Sequence, residues 1–244
     1  AAGLPTDRGP ETWQEFDEWA AKLTEKTGKP ALTIPDGSSY LDWYFQGMVW
    51  AFGGGYSNEW EPKFSDPKTI EAAKFLQDQV NKGHIEIGTD PTVAFGNGNV
   101  SGLLESTGSL GGLKESATVP FITTYLPGPG PSAATGGAGL AVPNGISDAR
   151  KKNAVKFIDF ITNTENTIMF SQKTGYMPVR KDALENPEER KFLDENPNAE
   201  TAIKQLNENT KPQDFARVFV PGGGKRIGGS LDKITVGGQD VEKV

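Results

Sequence analysis

Residues 171–180 read SQKTGYMPVR, and the glycine–tyrosine step at their centre decides how the rest of the chain is read. The preceding TENTIMF (164–170) has the apolar spacing of a helix, and Gly175 is suited to end one because it takes a left-handed conformation without a Cβ penalty. After the tyrosine, Pro178 fixes its own φ and keeps a helix from resuming. Tyr176 therefore stands at a reversal of the chain, either as core filler or as a hydroxyl projected towards a bound molecule.

Working outward, SDARKKNAVKFIDFITN (147–163) is a predicted helix with Ser147 as cap and Val155, Phe157, Ile158, Phe160 and Ile161 as its apolar residues. AGLAVP (138–143) and PFITTYLP (120–127) are apolar runs of strand length, and GPGPSAATGG (128–137) between them has the composition of a linker. STGSLGGLKES (106–116) turns from a strand around Val100–Leu104 into a helix. Further back, DPKTIEAAKFLQDQVNKG (66–83) carries a capping Asp66, Pro67 in its first turn and a closing Gly83. YLDWYFQGMVWAF (40–52) is dense in aromatics at helical spacing, ALTI (31–34) is a short strand ended by PDGSS, and Thr12 with Glu15 forms a capping box for a helix over 10–28. Downstream, 181–209 is helical and charged, and PGGGKRIGG (221–229) reads as a glycine-rich turn. Helices alternating with short apolar strands indicate an α/β architecture without internal repeats.

Composition narrows the function. The 244 residues carry 32 acidic against 25 basic side chains, a net charge of −7, which argues against a nucleic-acid partner while leaving room for a local anion site. With no cysteine and a single histidine, His84, the chain cannot form a disulfide or a thiolate site, and most triads and nearly all His-based metal sites are ruled out. No catalytic residue, metal or cofactor is predicted. No apolar run approaches the roughly 18 residues of a membrane span. The opening AAGLPTDRGPETW has neither the basic start nor the apolar core of a leader, so a mature chain or a piece of a longer one is expected.

Each candidate site has a plainer reading beside it. PGGGKRIGG fails as a Walker loop, because Phe219 occupies the first glycine position and Arg226 follows Lys225, yet its amides and cations suit an anion; the plainer reading is a solvated turn. STGSLGG offers hydroxyls and N–H groups to a ligand, or is simply a helix cap. The aromatics Tyr40, Trp43, Tyr44, Phe45 and Trp50 are a stacking platform or, as helical spacing more often means, core. His84 follows a helix-ending glycine, which favours an exposed or capping role. No spacing selects two acidic residues as a glycosidase pair.

Read in order, AGLPTDRGPETWQEFDEWAAKL, FGNGNVSGLLESTGSLGGL, TGGAGLAVP, AVKFIDFITNTENTIMFSQKTGYMPV and NPNAETAIKQL resemble the extracellular solute-binding proteins of ABC importers, in particular those that take sn-glycerol 3-phosphate. STGSLGG and SQKTGYMPV in this order carry most of the specificity. The resemblance implies a type II periplasmic-binding-protein-like α/β fold with two lobes, mostly the C-terminal lobe here: residues 1–126 its first part, 127–137 a hinge, 138–175 a segment of the N-terminal lobe, and 176–244 the return. It implies a chain that starts well inside the relatives' sequence, so a missing N-terminal lobe is expected, and a periplasmic or extracellular location.

Residue by residue, the resemblance makes Ser106, Gly137 and Tyr176 ligand-binding. It puts a phosphate-binding arginine at Arg226 with Lys225 as the fallback. Where the family places two tryptophans, this chain has Ser38 and Leu41, with Tyr40 and Trp43 as displaced aromatics. Smaller residues there imply a roomier pocket and a glycerophosphodiester such as glycerophosphocholine. The implied partners are a small phosphate ester and ABC permease transmembrane subunits. The alternatives are an oligosaccharide-binding protein and a carbohydrate-active enzyme domain.

Overall fold

A parallel pair of strands lies beneath the core of the computed structural model, which describes residues 2–244. Helix α1 (Trp13–Thr27) comes first, capped as the sequence predicts: Glu15 N donates to Thr12 Oγ1 at 3.0 Å, and Gly28 closes the helix at φ 66°. The carboxylate of Glu15 reaches back to Glu11 N at 2.7 Å. β1 (Leu32–Pro35) follows, then α2 (Leu41–Ala51), a two-residue hairpin β2 (Ser57–Asn58) and β3 (Glu61–Pro62), and α3 (Pro67–Asn81) behind its Asp66 cap. β4 (Ile85–Gly88) pairs parallel with β1, Leu32 against Ile85. α4 (Pro91–Gly96) then leads to an extended stretch on the other edge of β1, where Thr33 N donates to Gly102 O at 3.0 Å and Leu104 N to Thr33 O at 3.1 Å. The strand expected around Val100–Leu104 is reduced to this single bridge between Thr33 and Leu103.

The spatial order is therefore β4, β1, third stretch. Such an order is a switch point: the chain passes from β1 to β4 on one edge and crosses back to the third stretch on the other, and in such sheets ligands bind beyond the carboxyl ends of the strands that flank the switch. A short 3₁₀ turn (Thr107–Ser109) and α5 (Leu110–Ser116) follow on that side.

Two expected strands are absent. Residues 120–127 run extended with no strand partner; Thr123 N donates to Asn198 Oδ1 at 2.9 Å and Leu126 N to Gln205 Oε1 at 2.7 Å, so side chains satisfy the backbone instead. Residues 138–143 have no regular structure. The supposed linker 128–137 does contain a strand, β5 (Ala133–Thr135).

α6 (Asp148–Ile161) buries none of its side chains, and α7 (Thr164–Thr174) ends at Gly175 with φ 91°. The charged region is three helices, α8 (Lys181–Glu185), α9 (Pro187–Glu195) and α10 (Pro197–Glu208), after which β6 (Thr210–Pro212) pairs parallel with β5. α11 (Phe215–Phe219) and α12 (Gly223–Thr235) complete the regular structure before a terminal 3₁₀ turn. PGGGKRIGG is thus mostly helix. Gly222 takes φ 68° at its start, and Gly223, Gly224 and Gly228 serve close packing: a Cβ on Gly228 would lie 2.2 Å from Gly37 O.

The main core gathers Trp13, Phe16, Leu41, Phe45, Leu76, Ile85 and Leu231 from α1, α2, α3, β4 and α12. His84, expected to be exposed or capping, is buried, its backbone N–H donating to Gln79 O at 3.0 Å and its Nδ1 2.8 Å from Gln79 Oε1.

Candidate functional site

The loops that follow β1 and the third stretch meet at the switch point. Tyr44, from the first turn of α2, donates its hydroxyl to Glu105 Oε1 at 2.7 Å, and the Ser106 N–H donates to the same oxygen at 2.7 Å. Burial, reinforced by the neighbouring Glu105 carboxylate, pushes the Tyr44 hydroxyl far above its ordinary pKa, so it stays a donor. Ser106 Oγ accepts from Gly108 N at 3.3 Å, which turns the loop and leaves the hydroxyl proton free to donate outward.

Tyr176 lies against this turn. A Cβ on Gly108 would sit 2.5 Å from Tyr176 Cζ, so the ring rests directly on the glycine backbone, with its other face stacked on Phe170 at 6.0 Å and 6°. Gly175 is pressed between Leu110 and Thr107 O, where an added Cβ would meet both at 2.6 Å. The end of α7 and the start of α5 thus interlock, and they bring Ser106 and Tyr176 together. Tyr176 remains half exposed, consistent with a side chain that projects rather than fills.

The aromatic run divides. Tyr44, Phe45 and Trp50 are buried. Trp43 stands edge-on to Tyr44 at 5.0 Å, and Gly136, one residue before Gly137, packs against its ring with an ideal Cβ 2.7 Å from Cζ2. Gly137 itself is exposed just beyond β5. Tyr40 is 60% exposed at the start of α2.

Leu41 does not line a pocket: it is 1% exposed and belongs to the core, because as the first residue of α2 it turns inward with Phe45 and Met48. Ser38 is tied to Asp36 by an Oγ–Oδ1 hydrogen bond of 2.8 Å. A roomier pocket therefore gains nothing from Leu41, whereas Ser38 stays exposed.

Arg226 is joined to this group by no contact among the described residues. It is exposed on the face of α12 away from buried Ile227, Leu231 and Ile234, and its guanidinium makes no hydrogen bond among the described residues; Lys225 is exposed as well. The helix is held to the site from its other side. Gly224 packs on Asp42, whose carboxylate takes Arg217 Nε at 2.6 Å, and Gly37 N donates to Asp232 Oδ1 at 2.7 Å. Burial pushes the Asp42 carboxyl above its usual range against the pull of Arg217.

Glu105 was not picked out from sequence. Its one signal was its position directly before STGSL, and its contact with Tyr44 spans 61 residues.

Residues 2–201 match the model of a family described as bacterial extracellular solute-binding protein. Over its whole length the chain is 28% identical to the sn-glycerol-3-phosphate-binding periplasmic protein UgpB of Pectobacterium atrosepticum, spanning 56% of that relative. A crystal structure of UgpB from Mycobacterium tuberculosis in complex with glycerophosphocholine is 45% identical, with a TM-score of 0.94 over 99% of this chain and 62% of that one. The cyclic alpha-maltosyl-1,6-maltose binding protein of Arthrobacter globiformis, at 20% identity, shares the fold with a TM-score of 0.75 over 99% of this chain and 63% of its own. The α/β fold is thus that of the periplasmic binding proteins, and the chain belongs to the bacterial extracellular solute-binding protein family.

Proposed function

We propose that the protein is the substrate-binding component of an ABC importer, which captures a glycerophosphodiester or sn-glycerol 3-phosphate outside the cytoplasmic membrane and delivers it to permease transmembrane subunits. The observation that carries this reading is the meeting of Ser106 and Tyr176 at the carboxyl end of the parallel strands, in a chain 45% identical to a protein crystallised with glycerophosphocholine. Two hydroxyl donors, from Ser106 and Tyr176, suit ligand oxygens, and Arg226 is the charged partner for phosphate because guanidinium–phosphate bonds are stronger and more directional than neutral ones. Gly137, Tyr40 and Trp43 complete the proposed wall.

The protein acts by binding without turnover: its one histidine is buried against Gln79, and it has no thiol nucleophile. In this reading residues 1–126 and 176–244 build one lobe, 127–137 form the hinge, and 138–175 reach into a second lobe.

Calorimetry on the full-length protein tests it. Glycerophosphocholine and sn-glycerol 3-phosphate bind, maltose does not, and Arg226→Ala weakens the phosphate esters by about 2–4 kcal/mol. Maltose binding without phosphate-ester binding rejects the reading; unchanged affinity in Arg226→Ala rejects that residue alone.

A further inference from the structure

We infer that Glu105 is a specificity-determining residue, receiving the cationic group of a zwitterionic phosphodiester. The inference rests on the proposed phosphate-ester site and names its preferred ligand class.

Three observations converge on Glu105. Its Oε1 is occupied twice, by the Tyr44 hydroxyl and by the Ser106 N–H, while Oε2 has no hydrogen-bond partner among the described residues. The carboxylate is half-buried and forms no ion pair with a Lys, Arg or His among those residues, although burying a carboxylate without a cation is costly. It is also preorganised: Tyr44 is held in the core and the Ser106 amide is fixed by the loop, so the free oxygen is oriented before any ligand arrives.

The surroundings fit a soft cation better than a metal. Trp43, itself half-buried, stands edge-on to Tyr44 at 5.0 Å, and Tyr40 lies exposed three residues earlier. A carboxylate beside aromatic rings attracts an ammonium, quaternary or primary, by charge and by the ring quadrupole. With an arginine for the phosphate and Glu105 for the opposite end, the site is electrically matched to a ligand whose own charges cancel. A phosphomonoester, carrying about −1.5 to −2 at neutral pH, brings extra negative charge towards the carboxylate and is disfavoured. Glu105 thereby selects against the smaller anion as well as for the diester.

Glu105→Gln tests this in the full-length protein, since glutamine keeps an Oε1 acceptor for Tyr44 and Ser106 and removes only the charge. Binding of glycerophosphocholine, glycerophosphoglycerol and sn-glycerol 3-phosphate is measured at low and high salt. The expected result is roughly tenfold weaker binding of glycerophosphocholine by the variant, with the other two unchanged or tighter. The wild-type preference for glycerophosphocholine shrinks with salt, and that of the variant does not. Tyr44→Phe, which loosens the carboxylate but keeps its charge, retains the preference. Equal weakening of all three ligands in Glu105→Gln overturns the inference and leaves Glu105 a prop for Ser106. Failure of the wild type to bind any of the three overturns the phosphate-ester site and this inference together.

Discussion

At the residue scale, buried carboxylates hold the frame around the site. Asp214 accepts from Tyr56 N at 3.0 Å, Ser57 N at 3.2 Å, Ser57 Oγ at 2.6 Å and Ala216 N at 3.0 Å, tying the hairpin after α2 to α11. Its own N–H donates to buried Gln46 Oε1 at 2.7 Å. Asp214→Ala leaves several buried donors without an acceptor, and a loss of about 2–4 kcal/mol is expected from urea unfolding. At this scale the sequence was readable where the partner was near. Thr12, Asp66 and Ser147 cap their helices through bonds two or three residues away. It was unreadable where the partner was distant, as for Glu105 with Tyr44, or where helix phase decided burial, as for Leu41.

At the scale of elements, the contact between α12 and the loop after β1 sets where Tyr40 and α2 begin. Gly37 and Gly228 meet backbone to backbone, with no room for a Cβ on either: one on Gly37 would lie 2.1 Å from Gly228 O. Gly228→Ala is therefore expected to push α12 off the loop, costing about 1–3 kcal/mol and weakening ligand binding. Gly229→Ala, whose Cβ meets nothing within 4 Å, is expected to be neutral or to stabilise the helix by up to about 1 kcal/mol. Thermal melts of the pair, with ligand titrations, check both; equal effects would mean that the close approach is unimportant. The same contact explains why the PGGGKRIGG helix was misread as a turn. Its glycines looked like turn residues, whereas the use of Gly223, Gly224 and Gly228 is steric. Likewise β5 was hidden in a linker-like composition because its partner β6 lies 77 residues on, Ala133 against Thr210. The 120–127 run has the composition of a strand, but only Phe121 packs on Phe95 and α10 side chains, not a neighbouring strand, satisfy its backbone.

At the scale of the whole molecule, residues 138–170 stand apart from the core. Leu140, Val155, Phe157, Phe160, Met169 and Phe170 are all exposed, while α7 turns Ile168 and Ser171 inward. Each apolar side chain left in water forgoes roughly 1.5–3 kcal/mol of burial, so a face of this kind favours association. Residues 1–244 expressed alone are expected to self-associate in light scattering, and a Phe157→Ser, Phe160→Ser double variant to reduce that association without lowering the melting temperature. A monomer across micromolar concentrations, unaffected by the two changes, would speak against the proposed lobe division. The α/β class and most of the helices were legible in the sequence, because periodicity and caps are local. What joins them is not local, and the Tyr176 ring on the Gly108 backbone is the clearest case. A side chain at 108 would have to move the Tyr176 ring aside, since its Cβ would lie 2.5 Å from Tyr176 Cζ. Along lineages a residue larger than glycine at 108 is therefore expected to travel with a smaller or displaced one at 176.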